Sequence, residues 1–450
     1  MYRKTILIWL LVGGGLGLFC CQTPRSNPNV EQILGIPTSE IKQELDDLVA
    51  LWYPRIVDTI HGGYWTNFEY DWSQAEEQPK MLVTQARGLW TAARLAQYYP
   101  GRPELLTAAE HGFQFLTDFL WEKERGGFHL HWPKREADKD FRLTYANAFA
   151  LYALSEYAKI NEEAIVLDWV ERSFDWLEEH AHDMELGGYH NWVRFNDASA
   201  KEKGWGDGKW KGQNTSIHLL EALTNTYQVL PLPKVKERLG EMLSIVRDRF
   251  VKENGSLQLY FTNDWSAVDY RDSSRQFILD HIYDDHVSFG HDIETAFLLY
   301  EAASVWQGGK ADPKTLEVSK RMLDHSLSTG FEEEFQGIFD KGYYFQNQGE
   351  IEVLDRHKSW WAQAEAWHAL ALFSRLYPEE NVYPEAFRNM WVYMQDYLID
   401  PKHGGWYNAG LDESPAAAQQ AKAHQWKGAY HNGRALVQVL EYAVHPLDEH

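Results

Sequence analysis

Along most of the chain, apolar residues recur at helical spacing. The first such run is Ile41, Leu45, Leu48, Val49 and Trp52, which follows a polar start at Ser39 and predicts an amphipathic helix. It runs into His61-Gly62-Gly63-Tyr64-Trp65, and this pairing of a helix with Gly-Gly-aromatic returns along the chain. The marker recurs as Gly126-Gly127-Phe128, Gly187-Gly188-Tyr189 and Gly404-Gly405-Trp406, with weaker forms at Asn254-Gly255 and Gln336-Gly337-Ile338-Phe339. Successive markers lie 61 to 82 residues apart, which makes six units, each long enough for two helices and a loop.

Before each marker the pattern predicts a polar-faced helix, for example Ala108 to Trp121, Leu167 to Ala181 and Val318 to His325. Roughly twenty residues beyond most markers it predicts a more apolar one: Val83 to Tyr98, Tyr145 to Tyr157, Thr215 to Tyr227, Ile293 to Trp306, Trp360 to Leu376 and Gly433 to Val444. Apolar helices need cover on all sides and polar-faced helices on one. The economical solution is a ring of inner helices wrapped by outer ones, an all-α (α/α)6 barrel of six helix-hairpin repeats. An open solenoid meets the same pattern, but the count of six, with one enlarged unit, favours closure. The glycine pairs suit tight backbone at helix ends, and the aromatic that follows is placed to begin a short β-hairpin at the barrel mouth. They locate loops, not chemistry.

Length alone, at 450 residues with 44% hydrophobic content, suggests two or three domains, whereas the repeat argues for one. A net charge of -23 disfavours nucleic acid or an anionic membrane surface as a partner. Aromatic residues make up 14% of the chain, with 20 Trp, enough to fill a wide barrel and still line a cleft that stacks on sugar rings.

The start of the chain stands apart from the repeats. Arg3 and Lys4 precede the apolar run Ile6 to Phe19, which is short for a membrane span and reads as a secretion signal ending at Cys20-Cys21. This resembles a bacterial lipoprotein signal, with Leu18 and Cys20 favouring Cys21 as the acylated residue over Cys20. The expected organisation is therefore a signal peptide over 1–21, a flexible tether over 22–38 and a barrel over 39–450. Export to the cell envelope is expected, with a lipid anchor in the bacterial periplasm or outer membrane as the sole membrane contact.

In a closed ring of this kind the inner helices begin at one end, so residues near their N-termini line a single funnel. Those openings offer Arg87 and Trp90, Tyr145 and Asn147, Asn214, His218 and Glu221, His291 and Glu294, Trp360, Trp361 and Glu365, and His431, Asn432 and Arg434. Ionisable groups near a barrel axis are costly unless paired or used. Arg87 and Arg434 have two readings, as ion-pair partners of Glu294 or Glu365 or as parts of a reaction centre. His218 reads as a hydrogen-bonded core histidine or a substrate contact.

No metal is expected, because no His-x-x-x-His pair occurs within a helix. No nucleotide cofactor is expected either, since Gly-x-Gly-x-x-Gly and Walker patterns are absent. Two histidines, an arginine, carboxylates and stacking tryptophans suit proton transfer on a sugar, one imidazole on each face of a carbon beside a carbonyl.

Three segments carry a resemblance: Phe289-Gly290-His291-Asp292-Ile293-Glu294, Lys358-Ser359-Trp360-Trp361-Ala362-Gln363-Ala364-Glu365-Ala366 and Tyr430-His431-Asn432-Gly433-Arg434. Gln85 to Trp90 and Asn214 to Ala222 join them. Together they resemble the N-acylglucosamine 2-epimerase superfamily, and most of all its cellobiose 2-epimerase branch, over about residues 40 to 435. The resemblance implies an (α/α)6 barrel and an isomerase that interconverts glucose and mannose configurations at C2 of the reducing end of β-1,4 disaccharides such as cellobiose or mannobiose. It implies His291 and His431 as the acid/base pair acting through a cis-enediolate, Arg87 at the carbonyl oxygen, and Glu294 and Glu365 as supports. Trp360 and Trp361 become a stacking wall, with Asn147, Asn214, His218, Trp90 and Tyr145 as substrate contacts. Phe297, where tryptophan is usual, Ala362, where proline is usual, and the loop Arg194 to Gln213 depart from that branch. The nearest alternatives are an N-acylglucosamine 2-epimerase or a mannose isomerase. A glycoside hydrolase using Glu294 and Glu365, and a glycan-binding lipoprotein, are the readings outside the family.

Overall fold

The computed structural model describes residues 34–195, 211–346 and 349–444. The signal peptide, tether residues 22–33 and the Gly204 to Gly208 segment lie outside the described residues. Within them the chain forms twelve principal helices that alternate between two layers. The outer layer consists of α1 (Thr38–Trp52), α3 (Pro103–Phe115), α5 (Ala164–His180), α7 (Pro233–Ile245), α10 (Pro313–Thr329) and α12 (Val382–Tyr393). The inner layer consists of α2 (Leu82–Tyr98), α4 (Thr144–Ala158), α6 (Gln213–Val229), α9 (Phe289–Gln307), α11 (Trp360–Leu376) and α13 (Tyr430–Val444), while a short α8 (Arg275–Asp280) rides in the enlarged fourth connection.

Each inner helix packs on the next, and α13 returns to α2, so the ring is closed and the (α/α)6 barrel replaces the solenoid alternative. Burial follows the expected division of labour. In α4 every residue from Thr144 to Ala158 is buried, whereas α5 buries only the stripe Val166, Val170, Ser173, Phe174, Trp176, Leu177 and Glu178. The packed body begins earlier than expected: Leu34 and Ile36 are buried in the core, so the tether ends before them.

All the inner helices start at the same end, and two devices lace that mouth together. The first is a set of short antiparallel strands joining successive repeats: β1 (Lys80–Met81) with β2 (His131–Trp132), β3 (Phe141–Leu143) with β4 (Trp192–Arg194), β5 (Lys211–Gly212) with β6 (Tyr260–Phe261), and β7 (Val287–Ser288) with β8 (Lys341–Tyr343), which β9 (Glu352–Asp355) extends.

The second device fastens four of the six markers to an inner helix. In the four Gly-Gly markers both glycines have positive φ, a conformation a side chain would strain. Two of these turns and both weaker ones present a backbone N–H that the fourth residue of an inner helix accepts: Tyr64 N–H to Gln85 Oε1 at 2.7 Å, Phe128 N–H to Asn147 Oδ1 at 2.8 Å, Ile338 N–H to Gln363 Oε1 at 2.8 Å, and Leu257 N–H to Asp292 Oδ1 at 3.0 Å. Two residues before four of these helices stands a buried basic side chain, Lys80, Arg142, Lys211 or Lys358, which pairs with an acid of the turn. Lys80 lies 2.6 Å from Asp58, Lys211 2.8 Å from Asp183, Lys358 3.1 Å from Glu332 and Arg142 3.5 Å from Glu122.

Asp292 is the odd member of the clamp. Three repeats use a neutral amide there, and burial pushes the Asp292 carboxyl well above its usual range, with the Leu257 N–H and Lys252 opposing. A carboxyl raised in the folded state costs stability as pH climbs above the unfolded value. The substitution Asp292→Asn is therefore expected to raise the melting temperature at pH 7, with the gain shrinking as pH is lowered toward about 4, where the unfolded carboxyl also begins to take up its proton. Paired thermal melts at pH 4 and 7 check this; equal melting temperatures of the two proteins at both values would show that the carboxyl is not held neutral.

Candidate active site

The funnel is organised around Arg434, the fifth residue of α13. Its guanidinium is buried and bonds three carboxylates from three other inner helices: Glu221 of α6, Glu294 of α9 at 2.7 Å and Glu365 of α11 at 2.7 Å. Tyr430, one turn earlier, adds its hydroxyl at 2.7 Å, and Phe297 lies beneath the guanidinium with its ring centre 5.3 Å away. Phe297 thus fills the floor under the cation. The three acids hold Arg434 charged, and Arg434 in turn brings Glu221 down to about 2 against its burial penalty. Of the two readings left open, Arg434 takes the ion pair and Arg87 does not.

Glu365 passes this order to the first histidine. Its Oε1 lies 2.5 Å from His431 Nδ1, while Arg434 holds the same oxygen. That oxygen accepts, so Nδ1 carries the proton and Nε2 offers its lone pair to the funnel. The second histidine, His291, is the third residue of α9 and its Nδ1 lies 2.7 Å from Ser288 Oγ. Trp361 joins the two: its ring centre is 4.8 Å from that of His291 and 5.8 Å from that of His431. Burial pushes His291 down to about 4 although Glu294 pulls upward, and it pushes His431 well below the usual histidine range, with Arg87 adding to the effect. Both shifts favour the neutral ring, the form that accepts a proton.

Gly290 makes this approach possible. A Cβ there would lie 2.6 Å from the Trp361 ring and 2.8 Å from the Ala362 Cβ, so α9 and α11 meet too closely for any side chain. Arg87 enters from α2, donating to the Tyr145 hydroxyl at 3.2 Å and lying over Phe149 and Tyr430 at 4.4 and 5.1 Å from their ring centres. Its Nε finds no acceptor, and neither do Glu294 Oε2 and Glu365 Oε2 acquire a donor. Buried polar atoms left open in this way are what a polyhydroxyl ligand would satisfy. His218 sits beside Tyr145 and Phe149, with Nδ1 2.9 Å from Glu221. Asn214 keeps Oδ1 unpartnered at the second position of α6.

Three expected substrate contacts fall elsewhere. Asn147 is consumed by the clamp on Phe128, with Nδ2 donating to Leu143 O at 3.0 Å, because the fourth position of an inner helix faces its own marker turn. Trp360 and Trp361 do not form one wall, since successive helical residues point about 100° apart. Trp360 turns away against His424, with ring centres 5.9 Å apart, and Lys427. Trp90 stacks on Tyr152 at 5.3 Å and helps to line a cavity of about 330 Å³ in the barrel floor, bounded also by Glu221, Leu298 and Leu372. It lies two turns into α2, too deep for the mouth.

Glu294, Glu365 and His431 could reach one cation, their ligand atoms lying within 4.8 Å of one another. Arg434 already supplies positive charge to both carboxylates. Ser288 escaped the sequence reading, and so did the central place of Arg434 and Tyr430. The i, i+4 spacing of the last two, on the helix that carries His431, was the available signal.

Comparisons with known proteins place the chain in a family. The family model described as N-acylglucosamine 2-epimerase (GlcNAc 2-epimerase) matches residues 63–435. A cellobiose 2-epimerase of Bacteroides fragilis is 27% identical over 409 residues, covering 89% of this chain and 98% of the relative. A D-mannose isomerase of Marinomonas mediterranea is 25% identical over 408 residues, covering 89% and 96%. Among solved structures, the cellobiose 2-epimerase from Spirochaeta thermophila superposes with a TM-score of 0.78 at 26% identity, covering 93% of this chain and 99% of that one. A family 76 glycoside hydrolase shares the fold alone, with a TM-score of 0.58 at 12% identity.

Proposed function

The chain belongs to the N-acylglucosamine 2-epimerase family and is a sugar 2-epimerase, and we propose that it acts on C2 of the reducing-end residue of a β-1,4-linked disaccharide such as cellobiose or mannobiose. The observation that carries this reading is the placement of Trp361 between His291 and His431, which gives one stacking surface with an imidazole at either side. The sugar ring opens, and one neutral histidine takes the C2 proton as the C1–C2 enediolate forms. Rotation about the C2–C3 bond turns the other face toward the second histidine, which must enter the cycle carrying a proton on its funnel-facing nitrogen; it returns that proton to C2 as the carbonyl is restored, and the two rings exchange protonation states over one turnover. Arg87 stabilises the developing oxyanion, a fixed cation aimed at charge that appears only during reaction. The disaccharide is favoured by the several relatives named cellobiose 2-epimerase.

A hydrolase would need Glu294 and Glu365 on opposite sides of a glycosidic bond. Here both bond one guanidinium nitrogen, Arg434 Nη2, at 2.7 Å, which gathers them on one side. The N-terminal residues add the proposal that the enzyme works at the cell envelope, anchored through Cys21 or Cys20.

The test is incubation of the protein with cellobiose, mannobiose, mannose and N-acetylglucosamine in deuterated water. Deuterium at C2 of an intact disaccharide is expected. Exchange confined to mannose or N-acetylglucosamine would move the substrate to a monosaccharide, and release of monosaccharides would replace the reading by hydrolysis.

A further inference from the structure

Ser288 occupies the residue before α9, the position where a serine ordinarily caps a helix by accepting an N–H two or three residues on. Here it does not cap. Its buried hydroxyl instead lies 2.7 Å from Nδ1 of His291, the third residue of the helix. The corresponding positions before the other inner helices hold Met81, Leu143, Gly212, Ser359 and Ala429, and no side-chain cap is made at any of the first four. Ser359, the other serine among them, makes no cap and its Oγ has no partner, whereas the hydroxyl before α9 is turned to the ring. The backbone that carries it is fixed by the sheet, where Ser288 pairs with Lys341 across β7 and β8.

Resting on the two-histidine reading above, we infer that Ser288 is the positioning residue for His291, accepting the Nδ1 proton so that the lone pair stays at Nε2 and faces the funnel. An imidazole that loses this partner distributes its proton between both nitrogens and turns about χ2, and only one of the resulting forms is a base at the correct atom. The arrangement also differs in kind from that of His431, which is backed by the Glu365 carboxylate. The two proton carriers are oriented by different chemistry, a neutral hydroxyl on one face and an ion on the other. His291 can thus be tuned by a single substitution that leaves the Arg434 cluster untouched.

The experiment compares the native protein with Ser288→Ala and Ser288→Thr, using ¹⁵N-histidine NMR without substrate and steady-state kinetics of C2 exchange. His291 is assigned by the signal lost in His291→Gln. In the native protein Nδ1 is expected to be the protonated nitrogen; in Ser288→Ala the signal moves toward a mixture of tautomers. The same variant is expected to lose about 10- to 100-fold in kcat with KM within about twofold, and Ser288→Thr to regain most of it. The idea is overturned by an unchanged tautomer in Ser288→Ala, by a loss carried in KM, or by a threonine variant no better than alanine. The NMR arm needs no turnover, so it stands or falls separately from the choice of substrate.

Discussion

Replacing His431 by alanine is expected to abolish C2 exchange, with kcat falling by at least about 10²- to 10⁴-fold, while the protein stays folded. The second half of that expectation follows from the charge pattern. Removing a neutral imidazole leaves Glu365 paired with Arg434, so no new charge is stranded. His291→Ala is expected to do the same, since its ring is half-buried and its one polar partner is a hydroxyl. Both variants should therefore melt close to the native protein and fail in the deuterium assay. Substantial residual exchange in either would refute the assignment of two proton carriers.

The largest structural effect is expected at Arg434. Truncation to Met or Ala leaves Glu221, Glu294 and Glu365 in the barrel axis with no cation among them, and breaking a buried charge cluster by removing one partner costs about 3–5 kcal/mol. The sign of the pH dependence is opposite to that of a normal acidic protein. Without the guanidinium the three carboxyls are raised in the folded state, so stability is best when they are protonated and declines as pH rises through the carboxylate range. Denaturant titrations at pH 5 and pH 8 should show the larger deficit at pH 8. A uniform loss at both values would mean that packing around Tyr430 and Phe297, and not the carboxylates, is what the arginine supports. Activity should vanish with either side chain, because Glu365 then has nothing to hold it against His431.

Much of this architecture was legible in the residues. Four Gly-Gly-aromatic markers stood out because two successive left-handed residues leave few choices other than glycine, two weaker ones completed the six units, and the change from striped to uniformly apolar helices separated the outer layer from the inner. His291, His431, Glu294, Glu365 and Arg87 converge because each lies in the opening turns of an inner helix. What failed was direction within a turn. Asn147 and Trp360 have the right chemistry and the right depth, yet one faces its own marker loop and the other turns from the axis, a rotation that spacing alone does not reveal. Ser288 went unseen for a related reason: a serine before a helix reads as a cap, and only coordinates show that the cap is not made.

The lacing of the mouth has a consequence for where the molecule yields. At that end strands tie neighbouring repeats, clamps tie turns to helices, and buried basic side chains pin four of the turns. The opposite end has no strands among the described residues, its helices are joined by side chains alone, such as Gln97 to Glu156 at 2.6 Å and Asn225 to Glu156 at 2.8 Å, and it contains the cavity beside Trp90. Thermal breathing should therefore enter from the floor, fraying the last turns of the inner helices while the histidines keep their registry. Such a barrel can absorb drift in sequence at its base without losing the alignment on which its chemistry depends.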